Sequence, residues 1–215
     1  MTNLVLKTIS DKEIDAVSQM IGGLDLKNGP WIAGGCARRL WYGLPWKSHD
    51  VDLFFPNQSA FNAVCSKLDN QVFRSSEHLL ELKTNVELKT NDNPYVTQLA
   101  RTYQIQIGRV CPNMVKLQAV RKNWYGSMDE IFNGFDITVC KFATDGKTLV
   151  ATQDAISDCD ANVMRSNREL DRAISVNRII KYSAYGFEPT RDIMANLLES
   201  YRNGSLFEEM QNDEY

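Results

Sequence analysis

Apolar positions recur along this chain at two spacings, and those spacings predict most of its elements. Ile14, Val17 and Ile21 fall on one helical face, opened by the capping pattern Ser10-Asp11-Lys12-Glu13 and closed by Gly22-Gly23. The short apolar run Trp31-Ile32-Ala33 predicts a strand that stops at Gly34-Gly35. A short helix carrying Arg38 and Arg39 follows, ending at Gly43-Leu44-Pro45, and Asp50-Val51-Asp52 then runs into a second apolar strand, Leu53-Phe54-Phe55. Phe61, Val64, Cys65 and Leu68 repeat at helical spacing and predict a helix over about 58–68, with a strand at 71–74.

Further along, residues 81–85 and 87–91 both read ELKTN, an alternation suited to strands or a hairpin. Residues 103–107 (YQIQI) and 115–120 (VKLQAV) alternate as half-buried strands. Ser127-Met128-Asp129-Glu130 caps a short helix that Gly134 ends. The β-prone run from Phe135 to Cys140 predicts a core strand with Asp136, Thr138 and Cys140 on one face. Residues 148–152 read as a returning strand and 154–159 as a helical turn. Two helices are expected after that. One spans about 167–184, with Arg165, Arg168, Arg172, Arg178 and Lys181 along it; the other spans about 190–201, ahead of Gly204 and an acidic tail.

Composition narrows the class. With 215 residues, 43% hydrophobic and 24% charged, the chain has ample material for the core of a soluble globular protein of one or two domains. No apolar run approaches a membrane span, and the opening MTNLVLKTIS lacks the form of a signal peptide. Five scattered cysteines suggest buried reduced thiols and a cytoplasmic location, and two histidines without Cys-x-x-Cys exclude a structural zinc site. At a net charge of −3, nucleic acid would have to be met by a local basic patch.

The candidate chemistry lies in residues 31–55. Side chains two apart on a strand share a face, so Asp50 and Asp52 point the same way at the start of a buried strand. Such a pair suits a hard dication, since Mg²⁺ is held by one or two carboxylates together with substrate phosphates. A solvated strand end is the plainer alternative. Gly34 and Gly35 offer backbone that a phosphate can approach with no Cβ between. Asp136 is a natural third acid, because a carboxylate on a core strand is costly unless paired or metal-bound; a wet strand edge is the alternative.

Taken in order, Gly34, Gly35, Arg38, Gly43, Asp50 and Asp52, followed by the Phe-Asp-Ile-Thr of residues 135–138, resemble the nucleotidyltransferase superfamily, and within it the head domain of poly(A) polymerases and CCA-adding enzymes. Two departures are visible: Arg39 stands where the family often has an acid, and the loop before Asp50 is about two residues longer. Residues 178–187, ending in Gly186-Phe187, resemble the neck helix that follows that head, with a one-residue gap.

The resemblance implies an α/β fold: a mixed, partly antiparallel sheet flanked by helices. It divides the chain into a head-like catalytic domain over 1–160 and a neck-like helical segment over 161–215. It implies transfer of a nucleoside monophosphate from an NTP (ATP or CTP) to an acceptor hydroxyl, with release of pyrophosphate and two Mg²⁺ ions, or Mn²⁺ in their place. Asp50 and Asp52 would bridge both ions, and Asp136 would hold the one that activates the acceptor. Gly34, Gly35 and Arg38 would position the triphosphate, with Arg178 and Lys181 as further candidates, and Tyr182 would stack on the base or simply pack. An RNA 3′ end is the favoured acceptor. A protein or small-molecule hydroxyl, or an inactive nucleotide-binding interaction protein, are the alternatives. A minimal bacterial or phage-encoded member is expected, located in the cytoplasm of the bacterium or of the host cell.

Overall fold

The computed structural model describes residues 3–46, 50–74, 100–107, 113–167, 174 and 176–202. Strand β1 (Leu4–Thr8) leads into α1 (Lys12–Ile21). The strand–turn–helix–strand of the central stretch follows as β2 (Trp31–Ala33), α2 (Gly35–Trp41) and β3 (Val51–Phe54). Helix α3 (Gln58–Arg74) precedes the hairpin pair β4 (Ala100–Ile107) and β5 (Asn113–Val120). Then come α4 (Met128–Gly134), β6 (Phe142–Thr144), β7 (Thr148–Thr152) and α5 (Gln153–Asp160). The last elements are β8 (Val163–Met164), α6 (Val176–Ala184), β9 (Glu188–Pro189) and α7 (Arg191–Arg202).

Seven strands form one mixed sheet in the order β1-β7-β6-β2-β3-β5-β4. Every neighbouring pair is antiparallel except β3 and β5. A parallel pair needs a long crossover, and α3 lies in the connection between these two strands. One sheet face (Ile32, Val51, Leu53, Tyr103, Leu117) packs on Ile14 and Val17 of α1 and on Val64 and Leu68 of α3. On the other face Trp31, Ala33 and Phe54 meet Ile131 and Phe132 of α4. A third cluster joins Val139, Phe142 and Ala151 to α5, α6 and α7 through Ala155, Ile179, Tyr182 and Ile193. The short parallel pair β8–β9 fastens the end of α5 to the junction between α6 and α7.

The structure corrects four expectations. Asp11 rather than Ser10 caps α1, its Oδ1 accepting from the backbone N–H groups of Glu13 and Ile14. Residues 71–74 continue α3 instead of forming a strand: no Gly or Pro interrupts the chain after Leu68, and extending a helix adds a hydrogen bond for each residue fixed. The run from Phe135 to Cys140 is not a sheet strand. Its groups bond to the chain after β8, with Thr138 N–H donating to Arg165 O (3.0 Å) and Asn167 N–H donating to Asp136 O (2.8 Å). Thr138–Cys140 then closes a 3₁₀ turn, and the sheet resumes only at Phe142, where β2 and β7 flank the chain. Asn167 itself is buried in this clasp rather than helical, its amide donating to Phe132 O and Phe135 O, and the described helix of this region is α6.

The pattern did not predict β1, β6, β8 or β9. The ELKTN pair, the loop 47–49, Cys111 and the acidic tail lie outside the described residues. Cys36, Cys65, Cys140 and Cys159 are buried and free. No helix among the described residues is long and apolar enough to cross a membrane.

Candidate functional site

The turn between β2 and α2 is built on two different glycine properties. Gly34 has φ 81°, in the left-handed region that disfavours side chains, and its N–H donates to Phe142 O at 2.8 Å. Gly35 opens α2, and a Cβ there would meet nothing within 4 Å, so its backbone stands open to an approaching group. Just before the turn, Ala33 is paired with Asp52 on β3, so Asp52 sits across the sheet from the residue that leads into the turn.

Asp52 lies between two strands, opposite Ala33 on β2 and Gln118 on β5. With its NH₂ turned toward β3, the Gln118 amide donates to Asp52 Oδ1 at 2.8 Å and accepts from Lys116 Nζ at 3.1 Å. Lys116 Nζ also pairs with Asp50 Oδ2 at 3.4 Å. Four polar side chains thus form one row across β3 and β5, on the face opposite the core of α1 and α3. Burial first, and the neighbouring Asp50 charge second, raise the Asp52 carboxyl to about 6, against the opposing pull of Lys181, Arg178 and Lys116. Burial, more than any lack of nearby cations, is what disfavours the charged form of Asp52.

The basic residues divide into two settings. Arg38, 5% exposed, points away from water into aromatic rings: its guanidinium carbon lies 4.8 Å from the Phe187 ring centre, 5.2 Å from Tyr182 and 6.0 Å from Tyr185. Its Nη1 has no hydrogen-bond partner among the described residues. Arg178 Nε instead pairs with Asp136 Oδ2 at 2.8 Å. Lys181 is exposed. Tyr182 packs: it is buried, its hydroxyl 2.8 Å from Cys140 Sγ.

Of the three expected acids, Asp50 and Asp52 come together at the start of β3, whereas Asp136 is engaged by Arg178. No three His, Cys, Asp or Glu side chains among the described residues form a metal-holding group. The Asp50–Asp52 pair fits a dication nonetheless. Its oxygens are hard donors, its two like charges lie side by side, and Mg²⁺ needs only one or two carboxylates when phosphates supply the rest. Sequence reasoning missed Lys116 and Gln118. Their alternation was visible, but the parallel pairing that sets them beside the acids was not.

Comparison with known proteins gives two kinds of likeness. A model of the family described as Gabija anti-defense 2 family protein matches residues 2–162. Among solved structures, the chain is similar to a tRNA-processing enzyme in an apo form (16% identity, 92% of this chain and 50% of that one, TM-score 0.57). It is also similar to a CCA-adding enzyme in complex with ATP (14% identity, 95% and 47%, TM-score 0.58) and to the Thermotoga maritima CCA-adding enzyme complexed with tRNA (14% identity, 93% and 46%, TM-score 0.55). These likenesses establish the fold as that of the CCA-adding head, in agreement with the resemblance read from the motifs. The chain spans about half the length of the solved chains it matches. No curated protein matches it.

Proposed function

The chain belongs to the Gabija anti-defense 2 family, and we propose that it is a nucleotidyltransferase, moving a nucleoside monophosphate from an NTP to an acceptor hydroxyl and releasing pyrophosphate. One observation carries this reading: Asp52, its carboxyl raised by burial, stands beside Asp50 and pairs with the strand that leads into the open backbone of Gly35, within the electrostatic reach of Lys181 and Arg178. That combination offers carboxylates for a dication, backbone for a phosphate, and cations on α6 for the remaining phosphate charge.

Asp50 and Asp52 would hold Mg²⁺, which when bound supplies Lewis-acid polarisation of the phosphoryl oxygen and acidifies the attacking hydroxyl. Lys181, exposed and acting on Asp52, would meet the polyphosphate. Asp136 orients Arg178 rather than joining the other two acids, so the third-ligand role is not assigned to it. Arg38, enclosed in rings, braces α2 against α6, and its expected contact with triphosphate would require those rings to part.

An RNA 3′ end is the first acceptor to test, since the fold's solved relatives include complexes with ATP, CTP and tRNA. A second reading has a specific ground: the family's description points to action against a defence called Gabija, and the acceptor hydroxyl could belong to a component of that defence.

The deciding experiment incubates the purified chain and Mg²⁺ with each α-labelled NTP, and with either total RNA or the proteins of a Gabija-bearing cell. Label on RNA supports the first acceptor, and label on one protein band the second. Asp52→Asn should reduce either product about a thousandfold, the equivalent of losing ~4 kcal/mol of transition-state stabilisation. NTP binding without transfer to any acceptor would leave a nucleotide-binding protein and sink the catalytic reading.

A further inference from the structure

Lys116 has a position that ordinary surface lysines lack. The parallel register of β3 and β5 sets Val51 opposite Leu117 and Asp52 opposite Gln118, so the alternation of both strands brings Lys116 beside Asp50 on the acidic face. Its ammonium touches Asp50 Oδ2 at 3.4 Å and the Gln118 amide oxygen at 3.1 Å, and the other end of that amide donates to Asp52 Oδ1. One cation therefore serves both carboxylates, one directly and one through a relay.

That cation is also free to leave. The side chains of Lys116 and Asp50 are 46% and 39% exposed, so their pair is within reach of water and weakly held. A lysine ammonium rides on a flexible four-carbon stem and can swing aside without disturbing the strand. The Arg178–Asp136 pair differs on both counts, being shorter, with the carboxylate only 17% exposed.

We propose that Lys116 is the resident counter-ion of the acidic face, holding Asp50 directly and Asp52 through Gln118 until a divalent cation displaces it. The inference rests on the metal-dependent reading above and adds to it a mode of loading: the dication enters by exchange with an ammonium rather than by filling an empty place. Lys116 is then a positioning residue that sets how much dication the site requires. Released from Asp50, its charge stays on the same sheet face, where a polyphosphate would meet it.

The test is Mn²⁺ binding to the full chain without nucleotide, followed by the loss of the free-ion paramagnetic resonance signal. Lys116→Met should bind Mn²⁺ about tenfold more tightly than the wild type, a factor equal to ~1.4 kcal/mol of competing interaction removed. Asp50→Asn in the same background should abolish that gain. In thermal melts, Lys116→Met should lie below the wild type in chelator and show the larger rise on adding Mg²⁺. Lys116→Gln, which keeps a polar side chain, provides the same comparison should the methionine variant fold poorly. Equal Mn²⁺ affinity in wild type and variant would reduce Lys116 to an ordinary surface ion pair and overturn the proposal alone. Weaker binding by the variant would overturn it too, since the lysine would then support the metal. If neither protein binds Mn²⁺ at all, the metal-dependent reading falls and this proposal falls with it.

Discussion

Asp52 and Arg38 both keep a charge out of bulk water, and both are reached from the same Gly34–Gly35 turn, yet their surroundings are opposite. Ala33, just before the turn, is paired with Asp52, whose neighbours are polar, partly exposed and exchangeable. Arg38, one helical turn after it, is closed in by three rings and has little room to move. The acidic face tolerates its charge by remaining accessible to counter-ions. The basic pocket tolerates its charge by packing, with ring faces taking the place of carboxylates. A face of the first kind suits ligand chemistry, and a pocket of the second kind holds two helices together.

The strongest way to break that contrast is to empty the basic pocket. Arg38→Ala should cost about 2–4 kcal/mol in urea denaturation, because three rings lose the group they pack on and a cavity remains. A loss near zero would show that the rings do not depend on the guanidinium. Next in size is Asp136→Asn, which removes the 2.8 Å partner of Arg178 and should cost about 1–2 kcal/mol, with little dependence on salt. The exposed Lys116–Asp50 pair should behave differently: 1 M salt should abolish most of what Asp50→Asn changes.

The smallest effect sharpens the acidic side. In chelator, the Asp52 of the unfolded chain loses its proton near the ordinary 3.8, while the folded one keeps it to about 6. Between those values the folded state holds the extra proton, so stability falls as pH rises through the window and levels off above it. Discounted for solvent screening, the fall is roughly 1 kcal/mol. Subtracting the urea midpoints of Asp52→Asn from those of the wild type at pH 4 and pH 7 isolates it. A wild-type curve with the same slope as the variant would mean that Asp52 is not strained.

Local chemistry made most of the fold legible. The α1 face, the β2–turn–α2–β3 stretch, the hairpin strands and the α4 cap are each specified within a few residues, by periodicity, glycines or a capping side chain. What could not be read depends on distant partners. The run from Phe135 to Cys140 has strand propensity, but Arg165 and Asn167 take its hydrogen bonds, and nothing in the run itself announces them. The site followed the same rule. Asp50 and Asp52 were legible because they are two residues apart at the start of one strand. Lys116 and Gln118 were not, since a parallel register across α3 sets them there. Asp136 was legible as an acid, but its pairing with Arg178, 42 residues further on, was not.

The pairing of β1 with β7 bears on how the chain comes to be finished. Leu4 leaves the ribosome almost 150 residues ahead of its partner Thr152. At the usual pace of synthesis, about 5–20 residues per second, β1 waits on the order of ten to thirty seconds for a neighbour. β2 meets β3 early but must likewise wait for β6 before both of its edges are covered. The acidic face, by contrast, is complete once β5 has emerged. During translation, the acidic face is thus assembled before the sheet that supports it has closed, and the cations of α6 join it last.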